Sequence, residues 1–562
     1  MNVHSDKRRK ELGAYYTPDG LSQVLADWAI RSSENQVLEP SFGGCGFLEA
    51  SVGRLKALKA RNPVANLYGA DVDPEAFKYL SRKLGNLSSI EGKFLLKDFL
   101  AVKAEDFNCN NFDVALGNPP YVSYHNMGQA QRASCFEIFN TSSVPKKFPG
   151  RHASLWAFFV LHALSFLREE ARAAWVLPSS LLHADYAREV TETYKKHFKT
   201  IQIIKLNQRL FQASGADELS VILLADGFSK NEISENYTQY SVAKNIDELK
   251  LSIEGFSFDE TRNSSGSNYK HSIISKRAFY EYKKMEASSR TKLMGQVSDV
   301  LIGMVTGKNN SFVIDKNTSI DHCLEDGDLR PVVSKFSDMF GLVHTKKRHE
   351  KLVENGARAL LVCPADITVR GSRVRQYLAM ISRDDRVKNK TFKKRRFWFY
   401  PDDERYPDAF LSYMTDKGPK LIVNSAKVNC TNSIHRVFFH DIYRNYNRRG
   451  IATSMLSSYT QLSAELSGRS YGSGVLKLEP SAAKNVSLFF SKNCIDSLAE
   501  ISAKIDRMLI IGKYEEARRL VDEAICESEG LSIDTFDAFF VAVNKLRNDR
   551  YEGLNRIFEF SE

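Results

Sequence analysis

From about residue 20 to residue 225 two hydrophobic rhythms alternate. "LSQVLADWAI" (21–30), "GFLEASVGRLKAL" (46–58) and "EAFKYLSRKLGNL" (75–87) repeat their apolar positions at helical spacing. Between them lie short apolar runs that read as strands: "QVLEP" (36–40), "NLYGADVDP" (66–74), "KFLLKDF" (93–99) and "FDVALGNPPY" (112–121). A helix is expected over 153–168, then strands "RAAWVLPSSLL" (172–182) and "LSVILLAD" (219–226). Strands separated by helices of this length predict an α/β fold with a doubly wound, Rossmann-like sheet. In such sheets ligands sit beyond the carboxyl ends of the strands, where several of these runs end in polar residues.

The texture then changes. Residues 229–275 are polar and rich in Ser and Asn ("NSSGSNYKHS"), which suggests a boundary or a surface excursion. From about 290, "GQVSDVLIGMVTGKNNSFVI" reads as short strands and turns, and from about 494 "CIDSLAEISAKIDRMLIIGKYEEARRLVDEAI" is strongly helical. The expected division is a domain at 1–285, a mixed α+β domain at 286–493 and a helical segment at 494–562.

Composition narrows the class. The 562 residues are 43% hydrophobic and 26% charged, ordinary for a folded chain. A formal charge of +11 favours a polyanionic partner. Eight cysteines with no C-x-x-C pair argue against a zinc ribbon or a disulfide framework and for reduced thiols. The start, "MNVHSDKRRKELG", lacks the apolar core of a signal peptide. The longest apolar stretch, 154–167, is too short to span a bilayer. A soluble, cytoplasmic protein is expected.

The candidate chemistry begins at Asn118-Pro119-Pro120-Tyr121. Two prolines can continue neither a helix nor a sheet ladder, so the segment is stiff and extended. The Asn118 amide oxygen and the next carbonyl are two acceptors fixed in space, able to hold both hydrogens of a planar amino group. Tyr121 offers a face for a flat ring. Alone, such a tetrapeptide is more often a strand-terminal turn. It has company, however. "VLEPSFGGCGFLEA" (37–50) sets Glu39 and a Gly-rich turn between a strand and a helix, where backbone can approach a ligand. Asp71 ends the next strand, suited to ribose hydroxyls, and Asp98 with Phe99 ends a third, suited to an adenine's amine and face. Singly, each acid is as readily a solvated turn residue.

Taken in order, "GAYYTP" (13–18), "EPSFGGCGFL" (39–48), "ADVDP" (70–74), "KDFL" (97–100), "NPPY" (118–121), "LFQ" and "LSVILL" (210–224) resemble the N6-adenine DNA methyltransferases of the TaqI type, the gamma class. "IGMVTGKNNSFVI" (302–314) and "LSGRSYGSGVLKLEP" (466–480) are more loosely similar to specificity-domain segments of that family. The resemblance implies a methyltransferase sheet, a C-terminal target-recognition domain, and S-adenosylmethionine as methyl donor. It places Tyr16 and Thr17 beside the donor's methionine part. Glu39 and Gly43 fall near its amino group, with Ser41 in the same loop. Asp71 falls at the ribose, Asp98 and Phe99 at the adenine, and Asn118 at both cofactor and target. Cys45 stands where the family carries a glycine.

The implied reaction moves a methyl group to the N6 amine of a flipped-out adenine in double-stranded DNA. Asn118 and the Pro119 carbonyl would grip the amine, with Tyr121 and Phe211 stacking on the base. No Pro-Cys dipeptide, the nucleophile signature of carbon-5 cytosine methylation, is present. The class implies a restriction–modification or phage-defence role and a nucleoid-associated location. Whether a separately encoded restriction endonuclease accompanies the chain stays open. The competing class, protein-glutamine and RNA-guanine methyltransferases, shares the Asn-Pro-Pro-Tyr clamp but usually carries far less chain after it.

For DNA contact, "KNKTFKKRRFWFY" (388–400) interleaves positive charge with aromatics, and Lys393, Lys394, Arg395 and Arg396 are the candidate phosphate neutralisers. Trp398 suits local packing. Arg469 and Tyr471 in a Gly-rich loop are further candidates, as is "RNYNRRG" (444–450). The plain alternative for each is a solvated surface loop. No metal site is expected: His344 with His349 and His435 with His440 lack a cysteine pair. "YPDDERYPD" (400–408) lacks the acid-x-Lys partner of a nuclease, so modification without cleavage is expected.

Overall fold

Side chains of a strand alternate between the faces of its sheet, and β4 (Phe112–Gly117) shows the consequence in the computed structural model. Its Val114 and Leu116 enter one hydrophobic core while Ala115 between them enters another. A strand that is apolar on both faces must be covered on both. The structure describes residues 17–551 apart from 86–91, 108, 110, 142–152, 183, 207–219, 256–268, 365, 369–371 and 471–473. Tyr16, Phe211 and Tyr471 lie outside the described residues.

The chain divides into two units, Met1–Ser272 and Ile273–Glu562. In the first, β1 (Val37–Glu39), β2 (Leu67–Asp71), β3 (Phe94–Leu96), β4, β5 (Leu167–Pro178), β6 (Phe198–Leu206), β7 (Ser220–Phe228) and β8 (Tyr237–Ala243) form one sheet in the order β3-β2-β1-β4-β5-β7-β6-β8. Strands β1 to β5 run parallel, and β7 lies antiparallel between β5 and β6. One face is covered by α1 (Asp19–Ala29), α2 (Gly46–Ala57) and α3 (Pro74–Leu84), through Leu21, Leu25, Phe47, Leu48 and Leu80. The other is covered by α4 (Gln129–Thr141), α5 (Leu155–Ala163) and α6 (Asp185–His197), through Trp156, Phe159, Val190 and Tyr194. Trp175 Nε1 donates to the Tyr194 hydroxyl at 2.8 Å, which donates to the Val160 carbonyl at 3.0 Å, so β5, α6 and α5 are tied by buried hydrogen bonds.

The helix expected through 168 stops earlier. α5 ends at Ala163, a 3₁₀ turn covers Leu164–Phe166, and β5 begins at Leu167. The cause is a bulge: between Phe112↔Leu167 and Val114↔Arg172 the register of β4 and β5 shifts, and Glu170 takes φ 61°. The exposed Arg168-Glu169-Glu170 therefore lies within the bulged start of β5. Likewise the polar stretch from 229 is more than an excursion, because β8 pairs in parallel with β6 and α7 (Ile246–Glu254) follows. Edge strands tolerate such polarity because only one side must be dry.

The second unit begins earlier than residue 286. Helix Lys276–Glu286 buries Ala278, Tyr282 and Met285 in that unit's core. Its central sheet has five strands, ordered Ser298–Ile302, Ile434–Phe439, Ala409–Ser412, Leu421–Asn424 and Val343–His344. The expected helical segment is realised as Lys492–Ile510, Tyr514–Glu529 and Ile533–Tyr551. These helices are not a separate appendage: Leu498, Val521, Phe536 and Phe539 share one core with Leu411 and Val437 of the sheet. Burying such side chains is worth about 1.5–3 kcal/mol each, so helices and sheet are bound into one unit.

Candidate active site

Strand order reverses direction at β1, which is flanked by β2 and β4, and crevices form beyond the strand ends at such a switch point. Glu39 ends β1, Asp71 ends β2 and Asn118 follows β4. The turn after β1 is shaped by two left-handed residues, Gly43 (φ 41°) and Cys45 (φ 65°), with the Cys45 N–H closing onto the Phe42 carbonyl at 2.6 Å. Cys45 caps α2 in that conformation. The loop thus keeps its shape with a side chain at the glycine position, at a cost of roughly 1–2 kcal/mol for a non-glycine residue. Burial, followed by the neighbouring acids Glu39 and Asp71, pushes the Cys45 thiol well up.

Close approach of backbone is equally clear at Gly69, where a Cβ would stand 2.8 Å from the Glu39 carbonyl oxygen and 2.9 Å from the Phe42 ring. Asp71 Oδ2 accepts the Gly43 N–H at 2.9 Å and its Oδ1 accepts the Asp73 N–H at 2.8 Å. Burial raises the Asp71 carboxyl, and these N–H groups pull it back down. Glu39 is 2% exposed, and burial, then the nearby Asp71, raise its carboxyl well above the ordinary value while the Leu48 N–H lowers it. Its Oε2 has no hydrogen-bond partner among the described residues. A buried carboxylate oxygen left so is costly unless a cation meets it. A glycine-shaped cradle beside an orphaned acid fits the ammonium of a methionine moiety.

Asn118 is held from two sides. Its side-chain nitrogen donates to Thr17 Oγ1 at 3.2 Å, and Ser41 Oγ donates to its carbonyl at 3.4 Å. The Tyr121 hydroxyl donates to the Val176 carbonyl of β5 at 3.1 Å, which fixes a half-buried ring at the mouth of the strand ends. Sequence reasoning missed Val176, since a backbone carbonyl carries no residue-type signal.

Other expected residues fall elsewhere. Asp98 is half-buried and accepts the Leu100 N–H at 3.0 Å; burial raises its carboxyl. Phe99 does not offer a free face. It is 1% exposed, its ring 5.5 Å from Phe159, 5.0 Å from His162 and 5.3 Å from Phe166. The stacking surface expected of it is taken by the protein's own rings. His162 Nε2 bonds the Val102 carbonyl at 3.0 Å, and burial lowers it to about 4.

In the second unit Lys393, Lys394 and Arg396 are exposed, with Arg396 5.2 Å over the half-exposed Phe397 ring. Arg395 differs from its neighbours: it donates to the Val305 carbonyl and, at 3.4 Å, to the Trp398 carbonyl. It is therefore a brace, and burial lowers its pKa. Arg469 sits half-buried in a hairpin strand. Asp402 and Asp403 are used structurally, by Asn429 at 2.9 Å and Arg436 at 2.7 Å. His344 and His349 bond each other at 3.1 Å, and His435 bonds the Leu478 carbonyl at 2.6 Å. Among the described residues no helix is long and apolar enough to cross a membrane.

Comparisons with known proteins match both parts of the chain. Residues 1–243 match the family described as N-6 DNA methylase, and residues 267–526 match the C-terminal domain of the type II methyltransferase M.Eco57I. The chain is 21% identical over 481 residues to the type II methyltransferase M.AccI of Acinetobacter calcoaceticus, covering 84% of each. It is 21% identical over 502 residues to M.XamI of Xanthomonas campestris pv. amaranthicola, also 84% of each. In fold it is similar to the solved type IIL restriction-modification enzyme MmeI in complex with DNA, at a TM-score of 0.56 and 13% identity over 97% of this chain and 80% of that one. With an N-6 DNA methylase unit followed by an M.Eco57I-type C-terminal domain, the chain belongs to the S-adenosylmethionine-dependent N6-adenine DNA methyltransferases of restriction–modification systems.

Proposed function

We propose that the ends of β1, β2 and β4 form the gamma-class transfer site, acting on an adenine flipped out of double-stranded DNA. The observation that carries the reading is the convergence of two acids and an amide on the turn after β1: Glu39 leads into it, Gly43 is bound to Asp71, and Ser41 is bound to Asn118. Glu39 receives the ammonium of the cofactor, Asp71 its ribose and Asp98 its adenine amine. The cofactor supplies a methyl carbon made electrophilic by its sulfonium.

The amine of adenine is a poor nucleophile because its lone pair is delocalised into the ring. Asn118 Oδ1 and the Pro119 carbonyl accept both of its hydrogens, turning the lone pair outward. Such preorganised acceptors act strongly where water is excluded, and correct placement alone lowers a barrier by up to about 7–11 kcal/mol. Tyr121 stacks on the extruded base. Lys393, Lys394 and Arg396 neutralise phosphates, and Arg469 contacts the same duplex. The chain modifies DNA without cleaving it, and the enzyme works on the nucleoid.

Asn118→Ala tests the clamp. Labelled methyl transfer to duplex adenine should disappear while cofactor binding persists. Undiminished turnover would remove the mechanism, and label entering protein glutamine or RNA instead of DNA would transfer the site to the other class.

A further inference from the structure

A cavity of about 560 Å3 opens in the second unit, lined by none of the residues assigned above. One wall is apolar, with Phe336, Met339 and Leu509. The lining also carries two lysines on one aromatic ring: the Lys417 ammonium lies 5.1 Å and the Lys420 ammonium 5.3 Å from the centre of Tyr514, and Lys420 is also 5.9 Å from Phe336. Among the described residues neither has a carboxylate within ion-pair reach. The two acids that line the cavity are engaged, Glu515 by Arg518 at 3.0 Å and Asp416 by the Tyr551 hydroxyl. Ring contacts stabilise a cation by about 0.5–2 kcal/mol, well short of neutralising two. Burial, followed by the charge of Lys417, holds the Lys420 ammonium below its ordinary range.

The loop that brings these charges together is built rigidly. Gln461 donates to the Pro419 carbonyl at 2.9 Å and Arg550 to the Asp416 carbonyl at 3.0 Å. Gly418, at φ 94°, packs so tightly that a Cβ would stand 1.8 Å from Gln461 Oε1. Behind the loop a buried network joins Glu465 to Arg547 at 3.2 Å and to Arg550 at 2.9 Å. Buried ion networks are weak sources of stability, and fixing geometry is their better-attested use. Here the geometry fixed is that of two like charges facing one cavity. Helix Tyr514–Glu529 also begins at this wall, adding the positive end of its dipole.

We propose that this cavity binds a phosphate-bearing ligand of about mononucleotide size, its phosphate between Lys417 and Lys420 and its flat body against Phe336, Met339 and Leu509. The phosphate belongs either to a free nucleotide or to one nucleotide of a bound strand. The test is calorimetric titration of the full chain with adenosine 5′-monophosphate, adenosine and inorganic phosphate. The monophosphate should bind at least tenfold more tightly than either part. Lys417→Gln/Lys420→Gln should lose at least tenfold of that affinity with an unchanged melting temperature, and Tyr514→Leu should weaken it as well. Displacement of the nucleotide by duplex DNA would assign the site to a strand, and its persistence would assign it to a free ligand. No binding of the monophosphate, or binding indifferent to the lysine pair, overturns the proposal.

Discussion

The side-chain nitrogen of Asn118 donates to the Thr17 hydroxyl across 3.2 Å, keying the end of β4 to the segment that leads into α1. A primary amide has a donor end and an acceptor end. With the nitrogen engaged by Thr17, the oxygen is presented on the opposite side, the side an amine clamp requires. On the proposed reading, Thr17 orients the clamp. Thr17→Val keeps the shape and removes the hydroxyl. The expected result is a fall in kcat of roughly ten- to a hundredfold, as for a misplaced reacting group, with cofactor affinity little changed and recovery in Thr17→Ser. A Val variant as fast as the parent would show that the amide is oriented by something else.

With Glu39 at the cofactor's ammonium, as proposed, both stability and cofactor binding become pH-dependent. Its carboxyl is raised by burial and then by Asp71, so the folded protein holds that proton to higher pH than the unfolded chain does. By linkage, the contribution to stability is present below the unfolded pKa and is lost as pH rises through the folded one. Glu39→Gln should therefore raise the melting temperature of the cofactor-free protein at neutral pH, the gain vanishing in acid. Cofactor binding runs the other way. The ammonium requires the ionised form, so affinity of the parent should weaken as pH falls through the raised pKa, and the Gln variant should bind weakly without that dependence. Parallel affinity–pH curves for parent and variant would dissociate Glu39 from the ammonium.

Much of this site was legible in the sequence because strand-end chemistry is local. Glu39 and Asn118 each adjoin a proline, and Asp71 precedes the Asp73-Pro74 turn, so each closes an apolar run at a turn. What was not legible is non-local. Phe99 reads as a ligand-facing aromatic until α5 delivers Phe159 and His162 around it. β6 was hidden because Gln202 and Lys205, both 5% exposed, interrupt its apolar pattern. Lys205 is accommodated over the Tyr269 ring at 5.6 Å, contributed by a segment far along the chain. The C-terminal helices were plain from their period, but their union with the rest of the unit depends on contacts such as Phe536 to Phe489, 5.7 Å between ring centres.

Tyr121 separates positioning from stacking. Its hydroxyl is held by the Val176 carbonyl at 3.1 Å, and its ring is left half-buried. Tyr121→Phe loses a hydrogen bond worth about 0.5–1.5 kcal/mol but keeps the face, so a modest loss of kcat is expected. Tyr121→Ala removes the face and should cost about 1–3 kcal/mol of base stacking. With 2-aminopurine at the target position, fluorescence of the flipped base should stay quenched by Tyr and Phe and brighten with Ala. Equal fluorescence in all three proteins would place the base away from this ring.

The basic stretch divides by what each cation touches. Lys393, Lys394 and Arg396 project into solvent, whereas Arg395 is spent on the carbonyls of Val305 and Trp398 and lies 6.0 Å from the Phe392 ring. Phosphate contacts show themselves in the slope of log affinity against log salt, by about 0.9 per contact on duplex DNA. The triple variant Lys393→Gln/Lys394→Gln/Arg396→Gln should flatten that slope and weaken DNA binding while melting normally. Arg395→Gln should do the opposite: it removes the brace on the Val305 and Trp398 carbonyls, costing about 0.5–1.5 kcal/mol of stability per hydrogen bond, and keeps the slope of the parent. Salt titrations of the two variants beside their melting curves decide the division. If Arg395→Gln flattens the slope as much as the triple change does, the brace is a DNA contact after all, and the exposed trio loses its special standing.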